Sequence, residues 1–193
     1  MSRELLLRYP DPPLTDGVVL LRRWEERDLP CVEEASRDPR IPAGTTVPQV
    51  FSRDEGLAWI ERQWRRAGEG QGLSLAIAEA ETGEARGVVV LLLRPEGGRR
   101  AGTAELGYWL IPRARGRGYA SRAIALAARW GLVEAGLARI EALVEPENAA
   151  SQRVLERAGF KREGHLRSYL VFGDRRADAL IYSLLPEDVR QGG

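Results

Sequence analysis

The run Ala104 to Ala120, AELGYWLIPRARGRGYA, constrains the fold more than any other part of the chain. Leu106, Tyr108 and Leu110 alternate with Glu105, Gly107 and Trp109, so the first half reads as a strand with those two sets on opposite faces. Pro112 stops it. Gly116 and Gly118 permit a turn that other residues resist. From Tyr119 the run YASRAIALAARW carries strong helix formers and an apolar stripe at Ala123, Leu126, Trp130 and Val133. A strand, a glycine turn and a helix in that order bring the unpaired N–H groups of the helix start close to the strand end.

Such a junction attracts anions. A helix start carries about half a positive charge, and Arg113, Arg115 and Arg117 add whole charges beside it, which suits phosphate. A Walker loop needs Gly-Lys-Ser/Thr after its glycines, and a dinucleotide fingerprint needs Gly-x-Gly-x-x-Gly. Neither is present. Taken alone, the hexapeptide Arg113 to Gly118 also reads as an arginine-rich turn.

Set between a strand and a helix, R-x-x-G-x-G resembles the pyrophosphate loop of the Gcn5-related N-acetyltransferases. A second block, EPENAASQRVLERAGFKREG from Glu145 to Gly164, resembles the same family and most closely its Rim-type branch, which acetylates ribosomal-protein N-termini. The two blocks stand in the family's order, with a helix and a strand between them, and the resemblance covers the chain from about Leu20 to Leu185. It implies acetyl-coenzyme A as cosubstrate and a primary amine as acceptor, with direct attack in a ternary complex. It also implies that Arg113, Arg115, Gly116, Arg117, Gly118, Tyr119 and Ala120 surround the diphosphate.

With 193 residues the chain can bury a full core as one domain, 1–193, preceded by an arm over 1–16 that holds three prolines and lies on the surface. Its 29 basic and 28 acidic residues leave a net charge of +1, so no global field recruits nucleic acid or an anionic membrane. Cys31 and His165 are each alone, which excludes an intrachain disulfide and a multi-histidine or cysteine metal site; no metal is expected. Arg122, Arg129, Glu134 and Arg139 interrupt the most apolar region, and the chain is expected to be soluble and cytoplasmic, as a monomer or homodimer.

Read in order, Val18 to Arg22 is a first strand, and Asp28 with Pro30 opens a helix to about Ser36. A proline- and glycine-rich loop follows to Phe51. Ser52 and Glu55 form a capping box ahead of Leu57, Ile60 and Trp64, which places a helix to about Ala67. Ser74 to Glu79 and Ala85 to Arg94 make a hairpin around Thr82-Gly83, and Ala104 to Leu110 extends it. After the long helix from Tyr119 come a parallel strand at Arg139 to Val144 and a helix from Ala149 to Ala158 with Gly159 as left-handed cap. Strands at Phe160 to Leu170 and Ala177 to Leu185 turn at Gly173-Asp174. The expected class is α/β (α+β), a mixed, mostly antiparallel sheet of about seven strands with about four helices. The resemblance implies the same fold, splayed at its central strands.

The implied chemistry is acetyl transfer from a thioester to nitrogen. An amine with a pKa near 10 is about 99.9% protonated at neutral pH, so a base or a water chain must remove a proton. By the resemblance Glu105 is the candidate base acting through water; otherwise it is a strand-end carboxylate. Much of the family places a proton-donating tyrosine seven residues after the asparagine that contacts the pantetheine, a position held here by Leu155. The Rim-type pattern N-x-x-S instead matches Asn148 and Ser151, which implies Asn148 on the pantetheine and Ser151 as proton donor to the sulfur. Asn148 reads equally as an N-cap with Ser151 in the first turn. Leu110 and Ile111 would offer backbone groups to the pantetheine amides. Trp109, Trp130 and Tyr119 read as packing residues, and His165 as a surface or groove residue.

The acceptor would enter between the loop at Pro39 to Phe51 and the turn at Val171 to Arg176. A protein N-terminal amine is the first candidate, and a small amine such as a polyamine, amino acid or aminoglycoside the second. A non-catalytic acyl-coenzyme A sensor would use the same phosphate loop without the chemistry.

Overall fold

The computed structural model describes residues 6–95 and 98–190, so the expectations for residues 1–5, and for 96 and 97 in the turn after Arg94, lie outside the described residues. The chain enters through a short strand β1 (Leu14–Thr15) and β2 (Val19–Arg22), then crosses one face as α1 (Leu29–Arg37), α2 (Arg40–Gly44) and α3 (Arg53–Gly68). A meander of β3 (Gly72–Glu79), β4 (Ala85–Leu93) and β5 (Thr103–Leu110) leads into α4 (Tyr119–Val133) and β6 (Arg139–Val144). The chain finishes with α5 (Ala149–Arg157), the hairpin β7 (Lys161–Phe172) and β8 (Arg175–Leu184), and α6 (Pro186–Arg190). All strands join one sheet in the order β1-β2-β3-β4-β5-β6-β8-β7. Every neighbouring pair is antiparallel except β5 with β6. The class is the expected mixed α/β sheet.

Local chemistry explains most boundaries. The Ser52 side chain accepts from the Glu55 N–H, so Ser52 caps the start of α3. Gly159 takes φ +91°, and the Phe160 N–H reaches the Leu155 carbonyl at 3.0 Å, which closes α5 with both side chains buried.

The structure departs from the sequence expectations in three places. The arm is not confined to the surface: Leu7 is buried in the core, and Leu14–Thr15 pairs with β2 as an additional strand. The Pro39 to Phe51 loop contains α2, whose Ile41 is buried; Pro42 falls in its first turn, where its missing N–H costs nothing. The stripe on α4 is rotated. Val133 is exposed, and the face against the sheet is Ala120, Ala123, Ile124, Ala127 and Gly131. Small residues win because the helix lies close to the strands: a Cβ at Gly131 would sit 3.0 Å from Leu137 Cδ1 and 3.3 Å from Leu91 Cδ1.

The two sides of the sheet are covered separately. α1 and α3 pack on one face, while α4 spans β2 to β6 on the other with α5 beside it. Trp109 of β5 meets Trp59 of α3 at a ring separation of 6.0 Å, and Trp24 stacks edge-on to Trp59 at 4.8 Å. Glu105, Gly107 and Trp109 therefore face α3, and Leu106, Tyr108 and Leu110 face α4 and α5.

Candidate active site

The parallel ladder between β5 and β6 is short. It runs through Thr103↔Arg139, Ala104↔Ile140 and Glu105↔Glu141 and then ends, while Ala142 to Val144 remain paired to β8 on their other side. The two strands part beyond Glu105. The backbone of β5 alternates in direction: Thr103 accepts from the Arg94 N–H and Ile111 donates to the Arg86 carbonyl, both toward the β4 side. Tyr108 and Leu110 consequently turn their N–H and C=O groups toward the gap. Of the two residues expected to offer backbone groups there, Leu110 faces the gap, although its carbonyl already accepts from Arg115 Nε at 3.1 Å. The expectation for Ile111 needs correction: strand alternation commits its N–H to Arg86, and its carbonyl accepts from the Ala114 N–H at 3.0 Å. Tyr108 takes its place at the edge.

At the end of β5 the chain makes one 3-10 turn over Pro112–Ala114 and then passes through Gly116 at φ +76° and Gly118 at φ +79° into α4. Among the described residues, no backbone N–H from Gly116 to Ser121 is matched to an acceptor in the chain, and Gly118 caps α4 without a side-chain bond. A Cβ built on either glycine would meet nothing within 4 Å, so the loop lies open on that side. Converging free N–H groups at a helix start, with open space before them, fit a diphosphate.

The arginines divide their work. Arg113 Nε bonds Glu34 of α1 at 2.7 Å, and Arg115 bonds Asp38, just past α1, at 2.6 Å, so both side chains brace the loop. Arg117 is exposed. Burial pushes the Asp38 carboxyl up, but hydrogen bonds from Arg115 and Arg40 outweigh it and leave the carboxyl below its ordinary range. Tyr119 is buried, and its hydroxyl donates to Glu79 at 2.7 Å; Arg86 holds the other Glu79 oxygen at 2.7 Å. Hydrogen bonds from Arg86, then Tyr119 and Thr82, hold the Glu79 carboxyl down to about 2. Tyr119 and Glu79 thus pin the first turn of α4 to the end of β3.

Across the gap, Asn148 Oδ1 accepts from the Ser151 N–H at 3.0 Å, so Asn148 does cap α5. The Ser151 hydroxyl lies 2.9 Å from the Tyr108 hydroxyl, which donates to it. Burial raises the Tyr108 phenol above its ordinary range, and the bond to Ser151 offsets part of that. Sequence reading placed Tyr108 on the face of β5 shared with Leu106 and Leu110 and assigned it no role. The available signal was a tyrosine on an apolar face, whose hydroxyl must find a partner.

Glu105 lies on the opposite face from this hydroxyl pair. Its carboxylate pairs with Arg94 and remains partly exposed. Its register neighbour Glu141 is buried between Arg100 and Arg139 Nε, the latter at 2.9 Å. The candidate acid and the candidate base therefore flank the gap from its two sides. The expected acceptor walls meet: a Cβ at Gly44 of α2 would lie 3.4 Å from the Phe172 ring at the end of β7. Arg175 at the same hairpin tip reaches Glu145, just past β6, at 2.7 Å. His165 is half-exposed and bonds Asp178 at 2.8 Å. Trp109, Trp130 and Tyr119 are buried as packing residues. No group of three or more metal-ligating side chains is assembled among the described residues, and no helix there is long and apolar enough to cross a membrane.

A mixed sheet splayed at its central parallel pair, with an open glycine loop feeding a helix, is the architecture of acyl-coenzyme A-dependent acetyltransferases. Residues 19–161 match the model of the acetyltransferase (GNAT) domain, and the chain belongs to that family, with acetyl-coenzyme A as its acyl donor. It is 31% identical over 169 residues to the uncharacterized N-acetyltransferase p20 of Bacillus licheniformis, a match covering 87% of this chain and 93% of that one. Among solved structures, RimJ of Mycobacterium smegmatis in complex with CoA-disulfide superposes with a TM-score of 0.77 at 26% identity, covering 90% of this chain and 84% of that one. A GNAT-family acetyltransferase from Bacillus anthracis gives 0.73 at 26% identity, covering 88% of this chain and 96% of that one.

Proposed function

We propose that the enzyme acetylates a primary amine at a chain terminus, with a protein N-terminal amine as acceptor. The observation that carries the reading is the pair of walls on the acceptor side, α2 and the β7–β8 hairpin tip, which meet at Gly44 and Phe172. Walls that meet at one point suit an amine presented end-on and disfavour a lysine in the middle of a folded chain. The likeness to RimJ supports the same choice. A small amine presented end-on satisfies the same walls and is the second reading.

In this reading the N–H groups of Gly116 to Ala120 hold the diphosphate, Arg117 adds charge, and Arg113 and Arg115 fix the loop through Glu34 and Asp38. The edge of β5 at Tyr108 and Leu110 hydrogen-bonds the pantetheine arm, and the Nδ2 of Asn148, whose Oδ1 is spent on the cap, is its partner from α5. Acetyl-coenzyme A supplies an activated acyl group with a thiolate leaving group. Glu105, reached through water, takes the amine proton on the α3 side, Ser151 returns a proton to sulfur on the α5 side, and a β5 N–H meets the oxyanion.

The test is thiol release from acetyl-coenzyme A with a panel of amines. The panel holds a short peptide with a free alanine N-terminus, its N-acetylated form carrying an internal lysine, spermidine, glycine and kanamycin. Release with the free peptide and not the blocked one is expected. Release with spermidine, glycine or kanamycin alone moves the assignment to small amines. Tight cofactor binding without release under any amine would identify a sensor.

A further inference from the structure

We propose that Tyr108 acts with Ser151 as a two-hydroxyl proton relay to the departing thiolate, Tyr108 being the positioning residue that lets Ser151 serve as acid. The proposal rests on the acetyl-transfer reading above and extends it to a residue outside both sequence blocks.

The two hydroxyls are 2.9 Å apart, and they come from opposite banks of the gap, one from β5 and the other from the first turn of α5 after β6. The Ser151 N–H is fixed by the Asn148 cap, and Tyr108 is held in a strand, so the pair is preorganised. With Tyr108 donating, one lone pair of Ser151 is occupied and its own proton is free to point elsewhere. No other hydroxyl comes from the helix position where much of the family carries a tyrosine, because Leu155 there is fully buried in the core.

Acid strength supplies the reason for two groups. An aliphatic alcohol is a far weaker acid than a thiol, whose ordinary pKa is about 8.5, so Ser151 cannot give its proton to a thiolate unless another arrives at once. A phenol, ordinarily about 10 and raised here by burial, remains a far closer match than an aliphatic alcohol. The balance is complete without a further reactant. The ammonium first gives one proton to water beside Glu105; the neutral nitrogen then bonds the carbonyl carbon and loses a second proton through water, and the C–S bond breaks with its electron pair on sulfur. Ser151 Oγ passes its proton to sulfur as Tyr108 passes its own to Oγ; the second proton from nitrogen restores the phenol through solvent, and the first is released to bulk water. The products are the amide and the free thiol.

The experiment is single-turnover thiol release with acetyl-coenzyme A and whichever panel amine the wild type uses fastest, run in mixtures of H2O and D2O. Tyr108→Phe should lower the rate at least tenfold while leaving the KM for acetyl-coenzyme A within about twofold. Ser151→Ala should cost about as much, and the double variant little more than either. The wild type should give a bowed dependence on deuterium fraction, from two protons in flight, and Tyr108→Phe a straight one. A wild-type rate in Tyr108→Phe, a straight line in the wild type, or losses that multiply in the double variant would overturn the relay alone. Absence of release by the wild type with every amine would overturn the acetyl-transfer reading and the relay with it. A Tyr108→Phe melting point within a few degrees of the wild type separates relay loss from misfolding, and if that variant does not fold, the wild-type deuterium dependence decides by itself.

Discussion

Single residues at the glycine loop do their work through φ, and this makes them testable without crowding the site. Gly118 sits at φ +79° with open space where a Cβ would go, so Gly118→Ala adds backbone strain and no clash. A left-handed non-glycine residue costs about 1–2 kcal/mol. The loss should appear as a lower denaturation midpoint together with acetyl-coenzyme A affinity weakened about tenfold by calorimetry, because the N–H groups lose their convergence. An unaltered affinity would remove the loop from the diphosphate site. Glu105 gives a second residue-level test. If it takes the amine proton, Glu105→Gln should cut kcat about a hundredfold with acetyl-coenzyme A binding intact, and a variant of wild-type rate would return Glu105 to the role of Arg94's ion-pair partner. Both residues were legible in the sequence, Gly118 because only glycine tolerates the turn and Glu105 by its place on the strand. Tyr108 was legible only as a residue on the face of Leu106 and Leu110, because a hydroxyl's partner 43 positions away leaves no local trace.

Between elements, the bracing of the loop by α1 matters more than the number of arginines near it. Asp38 holds Arg115, and Arg115 in turn holds the Leu110 carbonyl, so one buried carboxylate links the start of α2, the β5 edge and the glycine loop. Asp38→Asn should weaken acetyl-coenzyme A binding several-fold by releasing Arg115, measured by calorimetry, while the fold persists. The pH sign follows from the depressed carboxyl. Because the folded state lowers the Asp38 pKa, its stabilisation is fully present above the unfolded value of about 3.9 and is lost as pH falls through the folded one. Urea midpoints measured between about pH 5 and pH 2 should therefore fall less steeply in Asp38→Asn than in the wild type. In the sheet, Gly87 allows β4 and β5 to lie together: a Cβ there would be 2.1 Å from the Trp109 carbonyl oxygen. Gly87→Ala should cost about 3 kcal/mol or more in chemical denaturation, since backbone must move to admit the methyl group.

For the whole molecule, the gap between β5 and β6 is where the proposed cofactor site would be coupled to the fold, since the strands share only three ladder pairs before they part. A ligand bridging the two banks should stabilise the chain by mass action, about 2.7 kcal/mol at a hundred times Kd, or about 5–10 °C in Tm for a protein this size. Coenzyme A should give that shift in a thermal melt, and pantetheine, which lacks the diphosphate, a much smaller one; equal shifts would place the binding energy away from the glycine loop. The sequence by itself determined the succession of strands and helices apart from β1, α2 and α6, the glycine turn and the cap at Asn148, because periodicity, capping and left-handed φ are properties of neighbouring residues. It also carried the family resemblance, since that resides in two contiguous blocks. The tertiary structure alone decided that Arg113 and Arg115 face Glu34 and Asp38, that Ile111 turns its N–H toward β4 and away from the gap, and that Tyr108 meets Ser151. Each of those contacts joins side chains or strand edges from distant segments, and packing, not local propensity, chooses among such partners.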